Sequence, residues 1–214
     1  MGVYWNERSF RRKALAGKAP LDKEEKRTAV IHAALDLVAE HGFHGAPMSA
    51  VAERADVAAG TIYRYFENKD ALILETFRFL ADMLQKIVME GYPEGGRVRE
   101  RYLHVGATLM RHLVGSPREL RFLEQFQNSP YGAHRRRELM LGKGDRNLVL
   151  DLFEEGRREG VVKDLPIPIL YALAFGPLIQ ICRDAAFGFL TLDDRLLDDS
   201  VEACWDAVRR RENA

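Results

Sequence analysis

The chain has 214 residues, 47% of them hydrophobic and 30% charged, with 32 basic residues against 32 acidic ones. That is ordinary for a soluble globular protein and long enough for a small domain of about 50 residues plus a larger one of about 150. Zero net charge argues against polyanion binding by the whole surface while leaving a local patch open, and two cysteines, Cys182 and Cys204, exclude a disulfide scaffold and read as free buried thiols.

Residues 1–22 are polar and aperiodic. Between Met1 and Arg27 eight Lys or Arg face four acids, so residues 1–22 read as a basic mobile arm. No apolar h-region follows the basic start. The longest apolar stretch, residues 167–182, carries Pro168, Pro177 and Gln180 and falls short of a membrane span. The expectation is a cytoplasmic protein with no membrane partner.

A first helix is predicted over Lys23–His41, where Val30, Ala34, Leu37 and Val38 repeat at helical period and Gly42 stops it. A short helix follows over 47–55, with Pro47 at its first position. After the turn 56–58 comes another, to about Tyr65. Asn68 caps a longer helix that runs to about Glu90. The GYPEGG stretch, 91–96, breaks the chain. Beyond it helices are expected over 98–114, 118–127, 133–141, 147–159, 167–189 and 196–210. The fourth of these follows an interruption at 142–144, and the fifth is kinked at Gly176–Pro177. The chain reads as all-α, a three-helix helix-turn-helix unit followed by a helical bundle.

Two short helices about three residues apart near an N-terminus have the pattern of a helix-turn-helix. Their steep crossing needs a small residue, and Ala52 fits. Val57 in the turn and Ile62 on the second helix fill the space beneath. Thr61, Tyr63, Arg64, Tyr65 and Lys69 crowd into nine positions, and hydroxyls and bases at one helix end are what phosphate contacts need. Lys69 stands in the first turn of a helix, where the macrodipole disfavours a cation unless a phosphate joins it. A solvated lysine and core tyrosines are the plain alternatives.

VAAGTIYRYFENKDAL, residues 57–72, resembles the signature of the tetracycline-repressor (TetR) family. RTAVIHAALDLVAEHGFHGAPMSAVAERADV, residues 27–57, resembles that family's first helix and its Gly-aromatic turn at Gly42–Phe43. The resemblance runs from about Lys23 to Leu84. It implies a DNA-binding domain over 23–68, a linker helix to about 90, and an effector-binding and dimerisation domain over 69–214. It also implies that the segment from Ala58 to Tyr65 enters the major groove of operator DNA. On that match Thr61, Tyr63 and Lys69 contact phosphates, Ser49, Ala59 and Arg64 lie nearer the bases, and Ala58, Gly60 and Tyr65 complete the DNA-facing set. The sequence departs from the family at Asp56–Val57–Ala58, where Gly–Val–Ser is common, and at Ala46–Pro47, where a Thr or Ser is common. Ala58 has no side-chain cap to offer, and Asp56 adds a negative charge near DNA. Alanines read only thymine methyls or let the backbone approach. Polar readout then falls to Arg64 and Ser49, with the basic arm tracking the adjacent minor groove.

In the C-terminal region an effector wall is expected from Phe77, Leu80, Tyr102, Leu109, Met110, Leu113, Phe122, Phe126, Phe153 and Tyr171. Aromatics with Met suggest a small apolar or amphipathic effector, with ordinary core as the alternative for each. His134 to Glu138 is a solvated cationic face or a clamp for an anionic group such as a CoA phosphate. A homodimer is expected through the last two long helices, using Leu178, Ile181, Cys182, Ala185, Val201, Trp205 and Val208. The six histidines make no i, i+4 pair, and no CxxC, P-loop or Gly–x–Ser–x–Gly occurs. No metal, cofactor or enzymatic activity is expected. The resulting expectation is a repressor released from its operator by a small molecule. The rivals are an effector-blind regulator, an activator, or a protein of the same fold that has lost DNA binding, a reading supported only by Asp56 and Ala58.

Overall fold

The computed structural model describes residues 22–140 and 148–211. The expected arm, apart from Asp22, and the interruption at 142–144 lie outside the described residues. Helix α1 (Lys23–His41) begins with a reciprocal cap: the Asp22 carboxylate accepts from Glu25 N at 2.9 Å, and Glu25 accepts from Asp22 N at 3.0 Å. It ends at Gly42, whose φ of +69° suits a residue without Cβ. Helix α2 (Met48–Arg54) follows Pro47, which flanks the helix instead of opening it. Helix α3 (Ala59–Ile62) is one turn long. Residues 63–65 continue it in tighter form, with Arg64 N bonded to Thr61 O at 3.2 Å and Tyr65 N to Ile62 O at 2.9 Å. Helix α4 (Lys69–Met89) starts on Asn68, whose side chain accepts from Ala71 N at 2.9 Å.

The bundle adds α5 (Val98–Gly115), α6 (Pro117–Gln127), α7 (Pro130–Met140) and α8 (Leu148–Arg158). Helix α7 starts three residues before the predicted 133, because Ser129 Oγ accepts from Gly132 N at 3.3 Å and Pro130 sits where no N–H is needed. The single helix expected over 167–189 is two, α9 (Ile167–Ala174) and α10 (Gly176–Ala186). They part at Phe175, φ −115°, because Pro177 cannot donate back into the preceding turn. Helix α11 (Asp194–Val208) is capped by Asp193, which accepts from Leu196 N at 2.7 Å. Among the described residues the extended pairing amounts to an isolated bridge between Val162 and Arg209.

Helix α1 packs on α2 and α4 and also on α6, so the helix-turn-helix unit shares a core with the bundle. Helix α5 is central, touching α4, α6, α8, α10 and α11. Its Gly106 lets α11 come close: a Cβ there would meet Val201 at 2.7 Å. Tyr102, fully buried, donates to Ala174 O at 2.8 Å and packs its ring 5.3 Å from Trp205. Burying one such ring stabilises the fold by about 1.5–3 kcal/mol.

This packing corrects the expected dimer surface. Leu178, Cys182, Val201, Trp205 and Val208 are all under 5% exposed in the single protomer. They fill its own core against α5 and have no surface to offer a partner. Ile181 and Ala185 are partly exposed. The exposed apolar residues nearby are different: Ile169, Leu173, Phe187, Phe189 and Leu196. The segment Ile167–Ala186 is also longer than expected. By length and composition alone its 20 residues, of mean hydropathy 1.3, reach a membrane span. Leu170, Ala174, Leu178 and Cys182 anchor it in the bundle, and much of its outer side is bare.

Candidate nucleic-acid interface and the helix leading from it

The helix-turn-helix core forms as its spacing predicts. Ala52 and Ile62 are buried, Val57 is partly buried, and Val57 N bonds to Ala52 O at 3.0 Å, closing α2 into the turn. Above this core Ser49, Ala58, Ala59, Gly60 and Arg64 are exposed, and Tyr63 is 58% exposed. A Cβ at Gly60 would meet nothing within 4 Å, so close approach by another molecule is what glycine serves there. Thr61 is half-buried. Of the two tyrosines, Tyr65 packs against the core, its ring 6.4 Å from that of Phe66.

Two departures from the family pattern acquire a physical description. Asp56 has a φ of +54°, the left-handed conformation for which glycine is the natural occupant and which Asp tolerates through its short polar side chain. Ala58 is the N-cap of α3 and makes no side-chain bond to the first turn. The backbone amides there stay available.

Lys69 has a partner that sequence reasoning missed. Its Nζ donates to the backbone carbonyl of Phe43, in the turn between α1 and α2. The cation in the first turn of α4 is therefore held by a carbonyl before any phosphate arrives. Next to it, Tyr131 of α7 donates to the Asp70 carboxylate at 2.6 Å, and its ring lies 5.4 Å from Phe43. Arg118 of α6 pairs with Asp36 of α1 at 3.0 Å, and Arg27 pairs with Glu75 of α4. The recognition unit is thus strapped to α4, α6 and α7. No local signal announces these pairs, which join residues about fifty to eighty positions apart.

The ten expected effector-wall residues form two aromatic groups. Phe77 stacks on Phe126 with ring centroids 4.0 Å apart, and Phe122 and Tyr131 each lie 6.3 Å from Phe126. Tyr102, Phe153 and Tyr171 gather around Phe175, at 5.6, 6.2 and 5.4 Å. Leu80, Met110 and Leu113 are buried between helices and Leu109 is partly buried. These side chains meet one another, so they close the core in this state. The cationic run on α7 is exposed in part, with the Arg135 guanidinium 5.1 Å from the Phe77 ring centroid.

An open cleft of about 530 Å³ lies elsewhere, between the C-terminal half of α4, the turn after it, α5 and α8. None of the ten expected residues lines it. Arg101 crosses its floor and grips Glu155 through both terminal nitrogens, one bond at 2.9 Å. The guanidinium holds the Glu155 carboxyl below the usual range. Burial lifts the Tyr92 phenol above its ordinary value, with Arg101 beside it pulling the other way. Among the described residues no three His, Cys, Asp or Glu side chains converge as a metal site.

Comparison with known proteins places this architecture. Residues 30–76 match the family model described as bacterial regulatory proteins, tetR family, and residues 98–209 match that of a tetracyclin repressor-like C-terminal domain. An HTH-type transcriptional regulator of Haemophilus influenzae is 28% identical over 175 residues, covering 81% of this chain and 90% of that protein. A solved TetR family regulator of Vibrio parahaemolyticus is 33% identical at a TM-score of 0.70, covering 87% of this chain and all of that one. The regulator FadR of Bacillus subtilis, solved in complex with stearoyl-CoA, shares the fold at 22% identity and a TM-score of 0.66, covering 84% of this chain and 98% of that one. With both halves of the chain matched in the expected order, the protein belongs to the TetR family of DNA-binding transcriptional regulators.

Proposed function

We propose that the chain is a homodimeric repressor that leaves its operator when a small apolar or amphipathic molecule binds the C-terminal bundle. The observation that carries the reading is the course of α4. It starts at Lys69 and Asp70, beside the exposed face of Ser49, Ala58, Ala59, Gly60, Thr61, Tyr63 and Arg64, and ends 21 residues later at the wall of the 530 Å³ cleft. One helix therefore touches the reading face and the space open to a ligand. In this reading Arg64 and Ser49 contact base edges, Thr61, Tyr63 and Lys69 contact phosphates, and Tyr65 supports the face from beneath.

Dimerisation follows from the bare apolar side of α9 and α10. Ile169 and Leu173 stand four residues apart on α9, at 46% and 37% exposure. Isologous pairing of that face hides it and sets two reading faces about 34–36 Å apart, the spacing of successive major grooves. The stearoyl-CoA of the Bacillus subtilis protein makes long-chain acyl compounds the natural first effector series.

The test is fluorescence polarisation with labelled DNA from the gene's own upstream region, with and without such compounds. Specific binding, a steep fall with salt and release by ligand support the reading. Binding indifferent to sequence at every salt concentration sinks it. Reporter output after deletion of the gene gives the sign: a rise means repression, and a fall means activation.

A further inference from the structure

We propose that the cleft beside α4 is the effector site and that it takes an uncharged amphiphile, with a carbonyl or hydroxyl head on Arg101 and an apolar chain over Met89, Leu148 and Leu152. This rests on the reading of the chain as an effector-responsive regulator.

Arg101 carries the argument. Its side chain is 13% exposed, and both terminal nitrogens are taken by Glu155. Its Nε is buried and has no acceptor among the described residues, the one side-chain polar atom there in that position. A buried donor left unmet is costly, so a ligand oxygen placed against Nε removes an existing penalty. Tyr92, on the same wall, adds a hydroxyl able to donate to that oxygen. The rest of the cleft suits a chain: Met89 is 39% exposed at its edge, and Leu148 and Leu152 line its side. Its volume falls within the range of about 300–1,000 Å³ usual for small-molecule sites.

Charge selects the head group. Glu155 already neutralises Arg101, and Glu94 adds another carboxylate to the lining. Even with Asp151 set aside, the described wall holds more negative than positive charge. A carboxylate or phosphate head entering there meets repulsion and competes with Glu155 for the same guanidinium, whereas a neutral acceptor needs only the free edge. The aromatic groups of the core, stacked on one another, offer no comparable opening in this state.

The experiment uses the full-length protein with four probes of one chain length: decanamide, methyl decanoate, decanoate and decanoyl-CoA. Melting temperature and operator affinity are measured for wild type, for Met89→Trp, which fills the cleft at its edge, and for Arg101→Lys, which keeps the charge and removes Nε. The expected result is that the two neutral probes raise the melting temperature and weaken operator binding about tenfold or more. Met89→Trp abolishes both effects while its ligand-free operator affinity stays that of wild type, and Arg101→Lys weakens neutral-probe binding. Equal or stronger action by decanoate or decanoyl-CoA overturns the head-group assignment. An undiminished response in Met89→Trp, or no melting shift with any probe, overturns the site. The melting shift reads the cleft without DNA, so failure to bind any operator counts against the regulator reading alone.

Discussion

At position 56 the backbone is left-handed, and Asp stands where glycine would be relaxed. Such a conformation costs an ordinary L-residue about 1–2 kcal/mol, and Asp somewhat less. Asp56→Gly removes that strain and a carboxylate near the reading face. The expected outcome is a melting temperature higher by about 2–4 °C per kcal/mol gained, with tighter operator binding, most of all at low salt. A variant that melts lower would show that the Asp side chain holds the turn. Two residues on, Ala58→Ser supplies the missing cap of α3, worth about 1 kcal/mol. Arg64, exposed beside Tyr63, is predicted to read a base: Arg64→Ala should cost about 1–3 kcal/mol on the cognate site and little on scrambled DNA. Equal losses on both would reassign it to a phosphate. The motif around these residues was legible because it is local. Ala52, Val57 and Ile62 meet through a single turn, so their spacing in sequence is their spacing in space.

At the scale of elements, the junction of α1, α4, α6 and α7 is where bundle and reading face meet. Burial and Asp70 push the Tyr131 phenol up to about 12, so its hydroxyl remains a donor throughout the neutral range. Tyr131→Phe keeps the ring against Phe43 and removes that bond. We expect about 1 kcal/mol less stability and an altered operator affinity, although Tyr131 lies outside the proposed DNA-facing set. An unchanged dissociation constant would mean the strap does not transmit. Across the junction His32 sits on α1 with its ring 5.1 Å from Phe79. Its pKa is lowered from the model value of 6.5, first by burial and then by Arg118, while Asp36 and Glu119 oppose the shift. The folded protein therefore prefers neutral His32, and the unfolded chain binds the proton more readily. The stability this contributes is present above pH 6.5 and is lost as pH falls toward the folded value. Melting temperature should drop between pH 7 and 5 in wild type, and less steeply in His32→Leu. A parallel pair of curves would remove His32 as the cause. None of these contacts was visible in the sequence. Arg118–Asp36 and Tyr131–Asp70 join distant segments, and a charged residue on a helix surface does not name its partner.

At the scale of the whole molecule, the bare outer side of α9 and α10 leads to a test of assembly. Ile169→Glu with Leu173→Glu sets charge on that face and leaves the buried Leu170 and Ala174 untouched. Sedimentation should show a monomer, and operator affinity should fall steeply because one reading face engages half a site. A variant that stays dimeric would move the interface elsewhere, with Phe187 and Phe189 the next exposed candidates.

Helix period, capping residues and breakers determined by themselves that the chain is all-helical, where most helices begin and end, and that a helix-turn-helix stands near the N-terminus. Those features depend on bonds within a few residues. Tertiary structure decided the rest. An apolar stripe states that a helix face must be covered, and says nothing of whether its own protomer or another chain covers it. Leu178, Val201 and Trp205 therefore turned out to be core. The aromatic residues of the bundle likewise found each other. The open cleft formed where α4, α5 and α8 leave a gap, around an arginine whose partner lies 54 residues away.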